Sequence, residues 1–124
     1  MNVLVAEDDK DIQEIVVNHL HSLGATVQLC SNGREAIQQL DSFKADIIIT
    51  DIVMPYTSGL ELLGIIKQKT NNKVPVIVLS AIDEEDTVMI AFKLGADDFI
   101  TKPFEPQELT LRLKRLLQLN AKVA

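Results

Sequence analysis

Short apolar runs rich in Val and Ile alternate with helix-patterned stretches along the whole chain, and this alternation restricts the fold more than any other feature. Val3 to Ala6, Ile47 to Thr50 and Val76 to Ser80 are continuous runs of the kind that suits strands covered on both faces. Thr26-Val27-Gln28-Leu29 alternates in polarity, which suits an edge strand. A short fifth strand is expected over Asp98 to Ile100. Between the strands, Ile12, Ile15, Val16, His19, Leu20 and Leu23 fall at helical spacing, and Gly24 can end that helix. Asn32 with Glu35, and Ser58 with Glu61, have the spacing of capping boxes that open the second and third helices. Asp83 can cap the fourth helix and Gly95 can close it. Pro106 fits the first turn of the fifth, whose apolar stripe is Leu109, Leu113, Leu116 and Leu117. These stripes read as core packing, with His19 on the buried side of its helix and His21 in solvent. Five βα units of this length predict an α/β fold, a doubly wound parallel sheet with helices on both faces. Ligands of such sheets bind outside the carboxyl ends of the strands.

Size and charge narrow the class. A chain of 124 residues fits a single domain over 1–124 with one core. Hydrophobic residues make up 47% and charged residues 24%, a soluble globular balance. The net charge of -6 argues against direct nucleic-acid binding, which needs a basic face to neutralise phosphates. No apolar run approaches membrane-spanning length, and the N-terminus does not read as a signal peptide. The single cysteine, Cys30, excludes an internal disulfide and fits a small core or rim position. A cytoplasmic location is the expectation.

The residues expected at the strand ends form a coherent chemical set. The first strand runs into Glu7-Asp8-Asp9, the third into Asp51, the fourth ends in Ser80, and Lys102-Pro103 follows the fifth. Carboxylates packed together repel, and each is hard to keep ionised without a cation. Glu7, Asp8 and Asp51 supply three negative charges; a divalent ion and Lys102 supply three positive ones. Oxygen donors without His or Cys favour Mg²⁺ or Mn²⁺ over zinc. Mg²⁺ takes one or two carboxylates and prefers phosphate oxygens beside them, so the set suits a phosphoryl group. A carboxylate can be the nucleophile that accepts it, with metal and lysine balancing the charge. Singly, each acid could equally be a helix cap, Lys102 a surface lysine and Ser80 a helix-start residue. Asp9 and Asp11 are assigned to that simpler role, in the first turn of the first helix. Taken together at matching strand ends, the other five point to a site.

From about Val3 to Leu119 the chain resembles the receiver domain of two-component response regulators. The resemblance is carried by Leu4-Val5-Ala6-Glu7-Asp8-Asp9, by Thr50-Asp51-Ile52-Val53-Met54-Pro55 followed by Gly59, by Leu79-Ser80-Ala81, and by Gly95-Ala96-Asp97-Asp98-Phe99-Ile100-Thr101-Lys102-Pro103-Phe104. It implies a flavodoxin-like (βα)5 sheet of strand order 2-1-3-4-5, an order carried over from the family. It implies that Asp51 accepts a phosphoryl group from a histidine kinase or phosphotransfer protein. Asp8 then binds Mg²⁺ directly, Glu7 acts through a coordinated water, and Val53 offers its backbone carbonyl to the metal. Lys102 contacts the phosphoryl oxygens, Ser80 moves in to bond them, and Phe99 is the aromatic switch that turns inward. The Lys102-Pro103 bond is expected to be cis. The surface of helix 4, strand 5 and helix 5 is what a partner reads, and a homodimer through it is one outcome, with Asp98 pairing Arg112 of the other subunit. Val88 departs from the basic residue usual opposite the position of Glu108. Apolar Val53 and Ile82, two positions after Asp51 and Ser80, imply a long-lived phosphate.

Three other readings are weaker. An aspartate-nucleophile phosphatase usually needs a second acid where Val53 stands, and a cap domain for which the chain is too short. A flavodoxin-like cofactor binder needs a phosphate-cradling loop where Glu7-Asp8-Asp9 would repel the phosphate. A pseudo-receiver would lack the acceptor, the acid pair or the lysine, all of which are present.

Overall fold

The computed structural model describes residues 1–54 and 58–123, with side chains through residue 118. Pro55 of the segment that follows Asp51 lies outside the described residues. The elements run β1 (Asn2–Ala6), α1 (Lys10–Ser22), β2 (Thr26–Cys30), α2 (Gly33–Gln39), β3 (Ile47–Thr50), α3 (Gly59–Lys69), β4 (Val76–Ser80), α4 (Glu85–Lys93), β5 (Asp98–Thr101) and α5 (Pro106–Val123). All strands are parallel and lie in the order β2-β1-β3-β4-β5, as expected. The alternating segment, β2, is indeed at an edge, with Cys30 buried at its end.

Side chains of a strand alternate between faces, and that splits the core in two. Val3, Val5, Ile47, Ile49, Ile77, Leu79 and Ile100 point to one face, where they meet Val16 and Leu20 of α1 and Leu109, Leu113 and Leu116 of α5. Leu4, Ala6, Ile48, Val76 and Val78 point to the other, against Ala36 of α2, Leu62, Leu63 and Ile66 of α3 and Ala91 of α4. Burial on both faces is why these strands read as continuous apolar runs.

The helix ends follow local chemistry. The Asp9 carboxylate caps α1, accepting from the N–H groups of Asp11 at 2.9 Å and Ile12 at 3.2 Å. Gly24, at φ +81°, takes the left-handed turn beyond its end. Asn32 accepts from Glu35 N and Ser58 from Glu61 N, as the capping spacings predict. The fourth helix corrects the expectation: Glu84, not Asp83, stands at the N-cap, and no side chain caps it. Glutamate carries one methylene more than the residues that reach back to the first turn's N–H groups. In α1, Ile15 is 47% exposed, outside the line of Ile12, Val16 and Leu20 that meets the core. His19 is half-buried against Thr110 of α5, and His21 is exposed. Among the described residues, no helix is long and apolar enough to cross a membrane.

An ion pair with a buried lysine sits at the end of the sheet opposite the carboxyl rim. Lys67 of α3 donates to Asp97 Oδ2 at 2.6 Å and to the Val74 carbonyl at 3.0 Å. Asp97 Oδ2 also accepts from Val76 N at 2.8 Å, so the pair ties α3 to the start of β4 and the turn before β5. Gly95, at φ +111°, lies on the stem of Lys67: a Cβ there would come within 2.9 Å of Lys67 Cγ.

Candidate functional site

The backbone ladder extends one residue beyond the strands and fixes the rim. Glu7 N donates to Cys30 O at 3.0 Å, Asp51 N to Ala6 O at 3.0 Å and Lys102 N to Ser80 O at 2.9 Å. The ends of β1 and β3, which are neighbours, and of β5, one strand beyond β4, therefore bring Glu7, Asp51 and Lys102 together, although they are far apart in the chain. Oxygens of Glu7, Asp8 and Asp51 all lie within 4.8 Å of one another. Glu7 and Asp51 are buried and Asp8 is exposed, so the cluster opens to solvent through Asp8.

Lys102 reaches into this cluster. Its ammonium donates to Glu7 Oε1 and, at 3.0 Å, to Asp51 Oδ2. Asp51 Oδ1 is tied back by Ile52 N at 2.6 Å and Val53 N at 3.4 Å, leaving Oδ2 turned to the lysine side. Three carboxylates face one ammonium, so the fully ionised cluster carries an excess of two negative charges. Burial pushes the Glu7 carboxyl above its ordinary value; the Lys102 bond opposes this, and the Asp51 charge adds to it. Burial alone would lower the Lys102 ammonium, but its bonds to Glu7 and Asp51 outweigh that and raise it. The donor set is all oxygen, with an excess of two charges that a hard divalent cation would cancel.

Ser80, Val53 and Phe99 are the other residues the sequence singled out for the site. The register Ser80↔Thr101 places Ser80 beside the residue before Lys102. Its buried Oγ accepts from Ile82 N at 3.1 Å, which leaves the hydroxyl hydrogen to donate. Among the described residues it makes no hydrogen bond to Asp51 or Lys102. Val53 follows two residues after Asp51 and is exposed. Phe99 is half-buried, beside Val78 in register and against the α2–α3–α4 core. The Lys102-Pro103 bond is cis, as expected.

Gly59 determines how closely α3 approaches the acceptor loop. A Cβ there would lie 2.2 Å from both Asp51 O and Ile52 Cα, and Gly59 N donates to Ile52 O at 2.6 Å. Two features were outside the sequence reading. Gln13 of α1 donates from Nε2 to the Glu7 carbonyl at 2.5 Å and to Ser31 Oγ at 3.3 Å. The only signal for it was a polar residue next to the apolar line of α1. The second concerns Asp98, expected to meet Arg112 of another subunit. Within this chain its buried carboxylate already accepts from Arg112 Nη1 at 3.0 Å and Arg115 Nη2 at 3.2 Å. Arg112 also lies 3.5 Å from Glu108, so Glu108 has a basic neighbour on its own helix.

The sequence pattern of the response regulator receiver domain matches residues 3–114, and the chain belongs to that family, the phosphoacceptor domains of two-component signalling. It is 35% identical over 116 residues to the alkaline phosphatase synthesis transcriptional regulatory protein PhoP of Bacillus subtilis, covering 94% of this chain and 48% of that protein. The chain thus spans about half the length of such relatives. Among solved structures it resembles a Francisella response regulator receiver domain, with 37% identity, a TM-score of 0.86 and coverage of 94% of this chain and 96% of that one. It also resembles the receiver domain of a Pseudomonas aeruginosa sensor histidine kinase, described with magnesium ion coordinated in the active site cleft. That likeness has 28% identity and a TM-score of 0.87, over 94% of this chain and 97% of that one.

Proposed function

We propose that Asp51 is the phosphoacceptor of this receiver domain. One observation carries the reading: the Asp51 carboxylate is buried against Lys102, inside an acidic cluster one cation short of neutrality. The donor is a histidine kinase or phosphotransfer protein. Asp51 attacks the phosphorus, the bond from phosphorus to the donor nitrogen breaks, and an acyl phosphate forms. Lys102 offers its ammonium to the phosphoryl oxygens, and the Ser80 hydroxyl hydrogen turns toward them. Asp8, Asp51 and the Val53 carbonyl would hold Mg²⁺ (or Mn²⁺), with Glu7 acting through a coordinated water; the ion supplies charge neutralisation on the phosphoryl oxygens. Phe99 then shifts against its core pocket and changes the face made by α4, β5 and α5. The chain signals rather than turning over a small substrate, in the cytoplasm, without membrane or direct nucleic-acid contact. The relative PhoP is a transcriptional regulatory protein of which this chain matches about half, and a nucleic-acid-binding output would lie outside the matched part.

The test is phosphorylation by acetyl phosphate, followed by intact mass. The wild type should gain one phosphoryl group only when Mg²⁺ is present, and Asp51→Asn should gain none. Labelling of Asp51→Asn to the wild-type level would sink the assignment. Apolar Val53 beside the acceptor further supports a long-lived phosphate; Val53→Asn should then lose it faster than the wild type, and equal decay contradicts this.

A homodimer through α4, β5 and α5 is favoured by the apolar side chains exposed there, Met89, Ile90, Phe92 and Leu111. Forming it requires Asp98 and Arg112 to exchange their partners within the chain for partners across the interface. The mass in solution should double on adding beryllofluoride with Mg²⁺; an unchanged mass argues against it.

A further inference from the structure

We propose that Gln13 is a positioning residue for the acidic cluster, acting on Asp8 through the peptide bond between Glu7 and Asp8. This rests on the reading that Glu7, Asp8 and Asp51 form the metal site. The carbonyl of Glu7 and the N–H of Asp8 belong to one rigid peptide plane, so fixing one fixes the other. Gln13 fixes it from α1, donating from Nε2 to Glu7 O at 2.5 Å. The preceding peptide is held from β2, where Cys30 O accepts from Glu7 N at 3.0 Å. Gln13 Nε2 also lies 3.3 Å from Ser31 Oγ, just beyond β2, which orients the amide. The backbone at Glu7 is thus clamped on its N–H side by the edge strand and on its carbonyl side by the helix.

Asp8 needs this clamp more than its neighbours do. The Glu7 carboxylate is held by Lys102 and accepts from Asp9 N at 3.2 Å. The Asp51 carboxylate is held by Lys102 and by Ile52 N. Asp8 is exposed, and among the described residues its carboxylate has no hydrogen-bond or ion-pair partner. Among the described residues only its backbone aims it at the cluster, and that backbone leaves the peptide plane that Gln13 holds. Groups that orient metal ligands typically change affinity on the order of 10- to 100-fold when removed.

The experiment compares wild type with Gln13→Met, which keeps the length of the side chain and much of its helix propensity but removes the donor. Mg²⁺ is titrated into each and followed by amide NMR, and urea unfolding is measured without metal. The expected result is an Mg²⁺ dissociation constant roughly 10-fold higher in Gln13→Met. The Asp8 amide resonance should be broadened or doubled in the metal-free variant, and the unfolding midpoint little changed. An unaltered dissociation constant, or an Asp8 amide as sharp and unshifted as in wild type, overturns the proposal. If the wild type itself binds no Mg²⁺, the metal reading fails, and the metal-free Asp8 amide still decides whether Gln13 positions it.

Discussion

Two lysines, Lys67 and Lys102, lie at opposite ends of the sheet and are built differently. Lys67 has one carboxylate, Asp97, and one carbonyl, Val74; Asp97 in turn takes the Val76 N–H, and Gly95 covers the lysine stem. That group is electrically neutral, and its bonds tie three segments together. Lys102 faces Glu7 and Asp51 with Asp8 beside them, and the fully ionised set is two charges from neutral. A neutral pair reads as structure and a charge-unbalanced cluster as a site awaiting a charged ligand. What separates the two lysines is the count of charges around them.

The largest expected effects come from replacing each lysine with Met. Lys102→Met should slow acetyl phosphate labelling on the order of 100-fold, the usual effect of losing one electrostatic partner of a transferring group. Lys67→Met should leave labelling within a small factor of wild type but lower stability to urea by roughly 2 kcal/mol. That is below the range for a fully buried pair, because the Asp97 side chain is 35% exposed. A large labelling defect in Lys67→Met would erase the distinction.

The glycines at the two places sharpen it. Gly59→Ala should displace the acceptor loop, since the new Cβ would meet backbone atoms at 2.2 Å. The expected result is a loss of about 2 kcal/mol together with impaired labelling. Gly95→Ala, strained by its positive φ and pressed on a flexible lysine stem, should cost about 1 kcal/mol and spare labelling. Rates and urea midpoints of both variants check this.

A smaller effect concerns pH. The buried Glu7 carboxyl sits above its ordinary 4.5, so the metal-free fold favours its neutral form. The stability this gives is full below pH 4.5 and is lost as pH rises through the raised folded value. Without metal, wild type should therefore lose stability relative to Glu7→Gln over that rise, and Mg²⁺ should reverse the loss. Parallel stability curves for the two proteins would contradict it.

The site was largely legible because a parallel sheet places its ligands at the carboxyl ends of strands, and those ends follow apolar runs that are easy to read. Glu7, Asp8, Asp51 and Lys102 needed only the strand order to bring them together. The Lys67–Asp97 pair was not legible: its members are 30 residues apart, and each looks like an ordinary surface charge in its segment. Gln13 was hidden for a similar reason, since its partner is a backbone carbonyl, which carries no sequence signal. The N-cap of α4 was misplaced by one residue because Asp83 is the better capping residue by type, and type alone does not set where the first turn begins.

The most direct measurement is an Mg²⁺ titration of the wild type followed by backbone and lysine resonances. The account predicts saturable shifts at Glu7 to Asp9, at Asp51 to Val53 and at Lys102, with Lys67 and Asp97 unmoved. No saturable shift around Lys102, or equal shifts around Lys67, would contradict it.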